Sequence, residues 1–188
     1  MKEFVVYVKA NAEKLNMGHA GVGSIMFSFG LLLNSVLGVK PTLVPFNGGG
    51  PATTALLGGQ IDYTCSVITD VSPHISSGAL KGYAIAANER NAALPDVPTT
   101  KEAGLPEFKS APWIALFAPK GTPQPILDDL SGALDEALDD REVRRRFFDL
   151  GGIVPDKAKR GQQALSALVK EEIARWEPIM KAADLKRS

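Results

Sequence analysis

Two glycine-rich stretches constrain this chain more than anything else in it. The longer one runs Phe46-Asn47-Gly48-Gly49-Gly50-Pro51-Ala52-Thr53-Thr54. It follows Leu43-Val44-Pro45, which reads as a strand, and leads into residues 52–57, which read as a helix. Three successive glycines leave the backbone bare and open to positive φ. Pro51 suits a first helical turn, where its missing N–H costs nothing. Gly18-His19-Ala20-Gly21-Val22-Gly23-Ser24 repeats the layout between a strand end at residues 15–17 and a helix start at Ile25, with Ser24 as N-cap. Taken alone, each loop also reads as a plain turn between strand and helix. Two of them in one α/β pattern predict two helix N-termini, with free N–H groups and positive dipole ends, facing one crevice. Ligands of open α/β sheets bind at the carboxyl ends of the strands, where these loops lie.

The alternation continues on both sides. Residues 2–14 place Phe4, Val5, Val8 and Ala12 on one helical face. A helix over 24–37 closes at Gly38, and strands follow at Thr42–Pro45 and 61–66. Asp70 is expected to cap a short helix through Ile75, and a further strand is expected at 80–87. Alternating strands and helices predict a mostly parallel sheet. Residues 88–110 read as an irregular connection in which Thr100 caps one turn before Gly104. Residues 112–119 read as a strand leaving that layer. Three helices are expected after it: one to about Leu138 with Thr122 as N-cap and Pro123 at N1, one over 143–150, and one over 161–183. Ala164, Leu165, Leu168, Ile173 and Trp176 form the apolar stripe of the last. The chain is therefore expected to divide into 1–109, a complete α/β unit, and 110–188, one strand with three helices. That is too little sheet for the helices to cover, so strands are missing or are borrowed from a partner chain.

Composition excludes several functions. Lys plus Arg equals Asp plus Glu, at 21 each, so no basic excess points to nucleic acid. Cys65 is the only cysteine and there are two histidines, which argues against a disulfide framework or a metal cluster. The longest apolar run, Ile25–Leu37, is too short to span a membrane. Met1-Lys2-Glu3 leads into an amphipathic helix rather than a signal peptide, which by itself predicts a cytoplasmic chain.

Enzyme motifs fail on inspection. Gly21-Val22-Gly23-Ser24-Ile25-Met26 has Met26 where a dinucleotide fingerprint needs its third glycine, and no phosphate-loop motif exists. Ser24 is not in a nucleophile elbow, and His19 near it lacks an orienting acid. His74 reads as structural. Binding without chemistry remains: loop N–H groups, the Ser24 hydroxyl and the Asn47 amide can hold a carboxylate by hydrogen bonds. Thr64, Ser66 and Asp70 fall near the carboxyl end of the strand that follows, while Asp62 reads as a solvated edge or turn acid.

Ala20-Gly21-Val22-Gly23-Ser24, Val44-Pro45-Phe46-Asn47-Gly48-Gly49-Gly50-Pro51-Ala52 and Leu57-Gly58-Gly59-Gln60-Ile61-Asp62 resemble the Bug (TctC-like) extracytoplasmic solute receptors of tripartite tricarboxylate transport systems. Pro73-His74-Ile75, Leu94-Pro95-Asp96-Val97-Pro98-Thr99, Glu102-Ala103-Gly104-Leu105-Pro106 and the stretch from Trp113 to Pro123 agree in order. The resemblance implies an α/β, periplasmic-binding-protein-like (type II) two-lobed fold. Residues 1–109 would be a complete lobe two, and 110–188 the C-terminal part of lobe one. It implies a periplasmic location, a small mono- or dicarboxylate ligand, membrane transporter subunits as partners, no cofactor and no catalysis. Ala20, Gly21, Val22, Gly23, Ser24, Asn47, Gly48, Gly49, Gly50, Pro51 and Ala52, with Ser66 and Asp70, would contact the ligand. The family's pattern differs at His19, Phe27, Phe46-Asn47 and Ser66, which bears on ligand identity. The resemblance covers about the C-terminal two thirds of such a receptor, as in a truncated product or a misassigned start. Closure of two lobes buries the ligand in hinged binding proteins, so this chain alone is expected to bind weakly. The alternatives are an interaction or sensing module without a transport role, and an enzyme acting on a carboxylate.

Overall fold

The structure is a computed structural model and describes residues 1–108 and 112–182. The chain divides into two compact units, Met1–Pro112 and Trp113–Ser188. The expected boundary at 109/110 and the last expected helical residue, Ala183, lie outside the described residues.

The first unit is built on three parallel strands in the order β2-β1-β3: β1 (Asn16–His19), β2 (Thr42–Pro45) and β3 (Tyr63–Thr64). β1 is central, pairing Asn16 with Thr42 and His19 with Pro45 on one side, and Met17 with Tyr63 on the other. Parallel strands need crossovers, and helices supply them. α1 (Lys2–Asn11) precedes β1, α2 (Ile25–Leu37) joins β1 to β2, α3 (Gly49–Leu57) joins β2 to β3, and α4 (Ile68–Ser76) follows β3. α1 buries Val8 and continues as a 3₁₀ turn at Ala12–Lys14, so the helix expected over 2–14 tightens in its last turn.

α2 is the helix best specified by its own sequence. Ser24 Oγ accepts from the Phe27 N–H at 3.1 Å, and Gly38 closes the other end at φ 68. Its face over the sheet buries Met26, Phe27, Phe29, Leu33 and Leu37. Gly30 lets it approach Met17, which is fully buried: a Cβ there would collide with the Met17 thioether. A buried polar chain runs through this contact. Tyr63 Oη donates to Asn34 Oδ1 at 2.8 Å, and Asn34 Nδ2 donates to Met17 Sδ at 3.4 Å.

Several expected elements are corrected here. β3 covers two residues rather than 61–66, because Thr64 turns its hydroxyl back onto the Gly18 carbonyl at 2.8 Å and pairing ends there. Asp70 is not an N-cap: α4 starts at Ile68 after Val67, and Asp70 lies in its first turn. Residues 80–87 form no strand; they touch a neighbour by one parallel bridge, Ile85 to Thr99. Beside Tyr83 and Ile85 that run carries Lys81, Gly82 and three alanines, residue types depleted in strands. Thr99 rather than Thr100 caps the turn before Gly104. Its Oγ1 accepts from Glu102 N at 3.2 Å while Glu102 Oε2 accepts from Thr99 N at 2.8 Å, a capping box. Arg90 Nε donates to both Glu102 oxygens at 3.1 Å. The Thr99 N–H first, and Arg90 with it, hold the Glu102 carboxyl below its ordinary range.

In the second unit, residues 112–119 have no ladder partner among the described residues and are not a strand. α5 (Gln124–Asp139) starts after Pro123, one residue later than expected. The Thr122 hydroxyl donates to the Pro119 carbonyl at 2.8 Å, so it does not cap the helix. Asp140 ends α5 and caps α6 (Arg141–Asp149), accepting from Glu142 and Val143 N–H groups at 2.9 Å. α7 spans Gly161–Ala182. Of its expected apolar stripe, Ala164, Leu165, Leu168 and Trp176 are half-buried, and Ile173 is 61% exposed. Arg160, its side chain 7% exposed, donates to Asp135 and Asp139 at 2.9 Å each and so ties the α7 start to α5. Lys157 first, and then Arg160, hold the Asp139 carboxyl down at about 2.

Two measurements check this account. Asn34→Ala leaves the Tyr63 hydroxyl buried without its acceptor, so the midpoint of denaturant unfolding should fall by the equivalent of about 1–3 kcal/mol. Burial pushes the Tyr63 phenol well above its ordinary value of 10.0. Its stabilising effect is then complete below pH 10 and is lost as pH rises further, because the unfolded phenol ionises first. Thermal unfolding should therefore soften above pH 10, and less so in Tyr63→Phe.

Candidate functional site

Because all three strands run the same way, the chain leaves β1, β2 and β3 at one edge of the sheet. The loop after β1 and the loop after β2 start side by side there: the Phe46 N–H donates to the His19 carbonyl at 2.9 Å. A Cβ on Gly21 would lie 3.8 Å from the Phe46 carbonyl oxygen, so the two loops stay adjacent beyond the strands.

The first loop needs its glycines. Gly21 and Gly23 have φ of 100° and 83°, in the left-handed half of the map. His19 supports it from below: buried at 2% exposure, it stacks on Phe27 at 4.8 Å and accepts the Gly21 N–H on Nδ1 at 3.2 Å. The imidazole accepts from the backbone and the Ser24 oxygen caps α2, so both are used in shaping the loop. The Ser24 hydroxyl keeps one proton to donate.

Two of the expected N–H groups at this loop are already engaged. Gly21 N–H is taken by His19, and Ser24 N–H donates to the Gly21 carbonyl at 3.2 Å. Among the described residues the N–H groups of Val22, Gly23, Ile25 and Met26 meet no acceptor. The bare N–H groups of Ile25 and Met26 have a sequence signal. A serine cap that satisfies N3 leaves N1 and N2 bare. Ala20 is half-buried and Val22 is 76% exposed at the rim.

The second loop turns at Gly48, φ 108 and ψ 172, a conformation essentially confined to glycine. α3 begins at Gly49, so Pro51 falls inside its first turn and has no proton to offer. Ala52 N–H already reaches the Gly48 carbonyl at 3.4 Å. Gly49 and Gly50 N–H groups meet no acceptor among the described residues, and Asn47 is exposed beside them. The site so built holds six bare N–H groups on two helix ends, suited to an anion.

β3 brings the remaining candidates to the same edge. The Ser66 hydroxyl oxygen is buried and has no partner among the described residues. Asp70 Oδ2 lies against Gly49, 3.0 Å from where a Cβ would stand. Asp62 is at the opposite end, accepting the Asn16 N–H at 2.7 Å, and takes a structural part. Burial pushes the Cys65 thiol up to about 12, so it carries no thiolate near neutral pH. No helix among the described residues is long and apolar enough to cross a membrane, and none of their His, Cys, Asp and Glu side chains group to hold a metal ion.

Comparison with known proteins fits this arrangement. MatC (Rpa3494) from Rhodopseudomonas palustris, solved with bound malate, is 49% identical at a TM-score of 0.91 over 95% of this chain and 61% of its own. The periplasmic binding protein BugD is 35% identical at a TM-score of 0.93, over 100% of this chain and 62% of its own. The UPF0065 protein in the TAR-I ttuE-ttuC' intergenic region of Agrobacterium vitis is 40% identical over 181 residues, 96% of this chain. The chain spans about half the length of that relative, 52%, and about three fifths of each solved chain. The α/β fold is that of the periplasmic solute-binding proteins. Residues 1–185 match the TctC model, described as the tripartite tricarboxylate transporter family receptor, and the chain belongs to that family.

Proposed function

We propose that this chain binds a small mono- or dicarboxylate as an extracytoplasmic solute receptor, without chemical turnover. The observation that carries this reading is the pair of bare helix ends held side by side at the carboxyl edge of one parallel sheet. N–H groups of Val22, Gly23, Ile25, Met26, Gly49 and Gly50 are the donors for the ligand carboxylate, with the Ser24 hydroxyl and the Asn47 amide beside them. Two dipole ends and fixed donors stabilise an anion without a cation. The family membership supports a periplasmic location and delivery to the membrane subunits of a tripartite tricarboxylate-type transporter. Malate bound to MatC supports the ligand class. The engagement of His19 and Ser24 in loop structure supports binding over catalysis.

Titration of the ¹⁵N-labelled chain with malate and succinate into the millimolar range tests this. Saturable shifts should concentrate on the amides of Val22, Gly23, Ile25, Gly49 and Gly50, with the acid recovered unchanged. Gly48→Val forces a branched side chain into φ 108 and should weaken binding about tenfold or more, on a scale where about 1.4 kcal/mol is a factor of ten. Shifts scattered away from these loops, or conversion of the acid, would count against the reading.

A further inference from the structure

We propose that Asp70 sets which acids this crevice accepts, selecting those that bring a hydroxyl to the α3 end over those that lack one. The inference rests on the carboxylate-receptor reading above. Three elements create the geometry. Asp70 of α4 brings Oδ2 against Gly49, the first residue of α3, 3.0 Å from where a Cβ would stand. Met26 of α2 closes the same spot, its Sδ 3.7 Å from that position. The exposed Asp70 side chain has one hydrogen bond among the described residues, a long 3.4 Å contact from Thr69 Oγ1. Its remaining acceptor capacity is open, and an ionised carboxylate can only accept.

The α3 end thus offers two kinds of group side by side: bare N–H donors at Gly49 and Gly50, and an acidic acceptor. A ligand carboxylate suits the donors. The neighbouring group must donate to Asp70, and a second carboxylate there meets like charge. A 2-hydroxy acid presents a carboxylate and a hydroxyl on adjacent atoms, which matches donors and acceptor lying next to one another.

The test compares malate, which carries the hydroxyl, with succinate, which lacks it, by ¹⁵N titration of the 188-residue chain. Asp70→Asn removes the charge. Gly49→Ala keeps it but displaces it, because the added methyl meets the carboxylate oxygen; Gly49 is not at positive φ, so the backbone tolerates alanine. The wild-type chain should prefer malate by about tenfold or more, the scale of a hydrogen bond to a charged group. Both variants should bring the preference within about threefold, with succinate binding gained in Asp70→Asn. An absent wild-type preference, or one that survives in both variants, overturns the proposal while leaving the receptor reading intact. A preference lost in Asp70→Asn alone marks damage to α4 and also overturns it. Failure of the wild-type chain to bind either acid overturns the receptor reading and this inference together.

Discussion

The fit of β1 between its neighbours and under α2 governs the rest of the first unit. Gly18 of β1 has no room for a side chain, because a Cβ there would collide with Ile61. Met17, one residue earlier, fills the space beneath Gly30 of α2. Adding atoms at Gly18 or Gly30 would push the helix off the strand or spoil the parallel register, since packed cores absorb extra volume poorly. The position of the α2 N-terminus follows from that contact. The placement of the α3 N-terminus follows from the pairing of β1 with β2. Loop geometry at the crevice is therefore fixed from inside the core.

Much of this was legible in the sequence where the signal was local. Ser24 and Gly38 bracket α2, and the bounds of β2 at Thr42 and Pro45 were read directly. These depend on capping and glycine conformation, which neighbouring residues determine. The reading failed where a partner distant in sequence decides the outcome. The run at 80–87 reads as a strand but forms a single β-bridge, Ile85 to Thr99. Asp140 went unread as a cap because an acid following another acid looks like surface charge. At the crevice the loops are recognisable in the sequence, but which of their N–H groups stay bare is not. That His19 would use the Gly21 N–H, and that Pro51 would sit a full two residues inside α3, became evident only with the backbone path.

Asp70 is the acid that stands against Gly49 at the crevice. Tyr63 and Cys65 flank the carboxyl end of β3, and burial first of all holds both groups protonated in the neutral range. The chain's formal neutrality points the same way: short-range hydrogen bonds, rather than a long-range field, would have to supply the attraction.

Residues 113–118 carry a different consequence. Ile114, Leu116 and Phe117 are 86%, 55% and 64% exposed, on a stretch with no ladder partner among the described residues. An extended run apolar on both sides is the pattern of a strand buried within a sheet. Left open, such a run is a template for pairing with another chain. In concentrated solution an open apolar run of this kind favours self-association and precipitation, so the practical handling of the chain turns on this stretch.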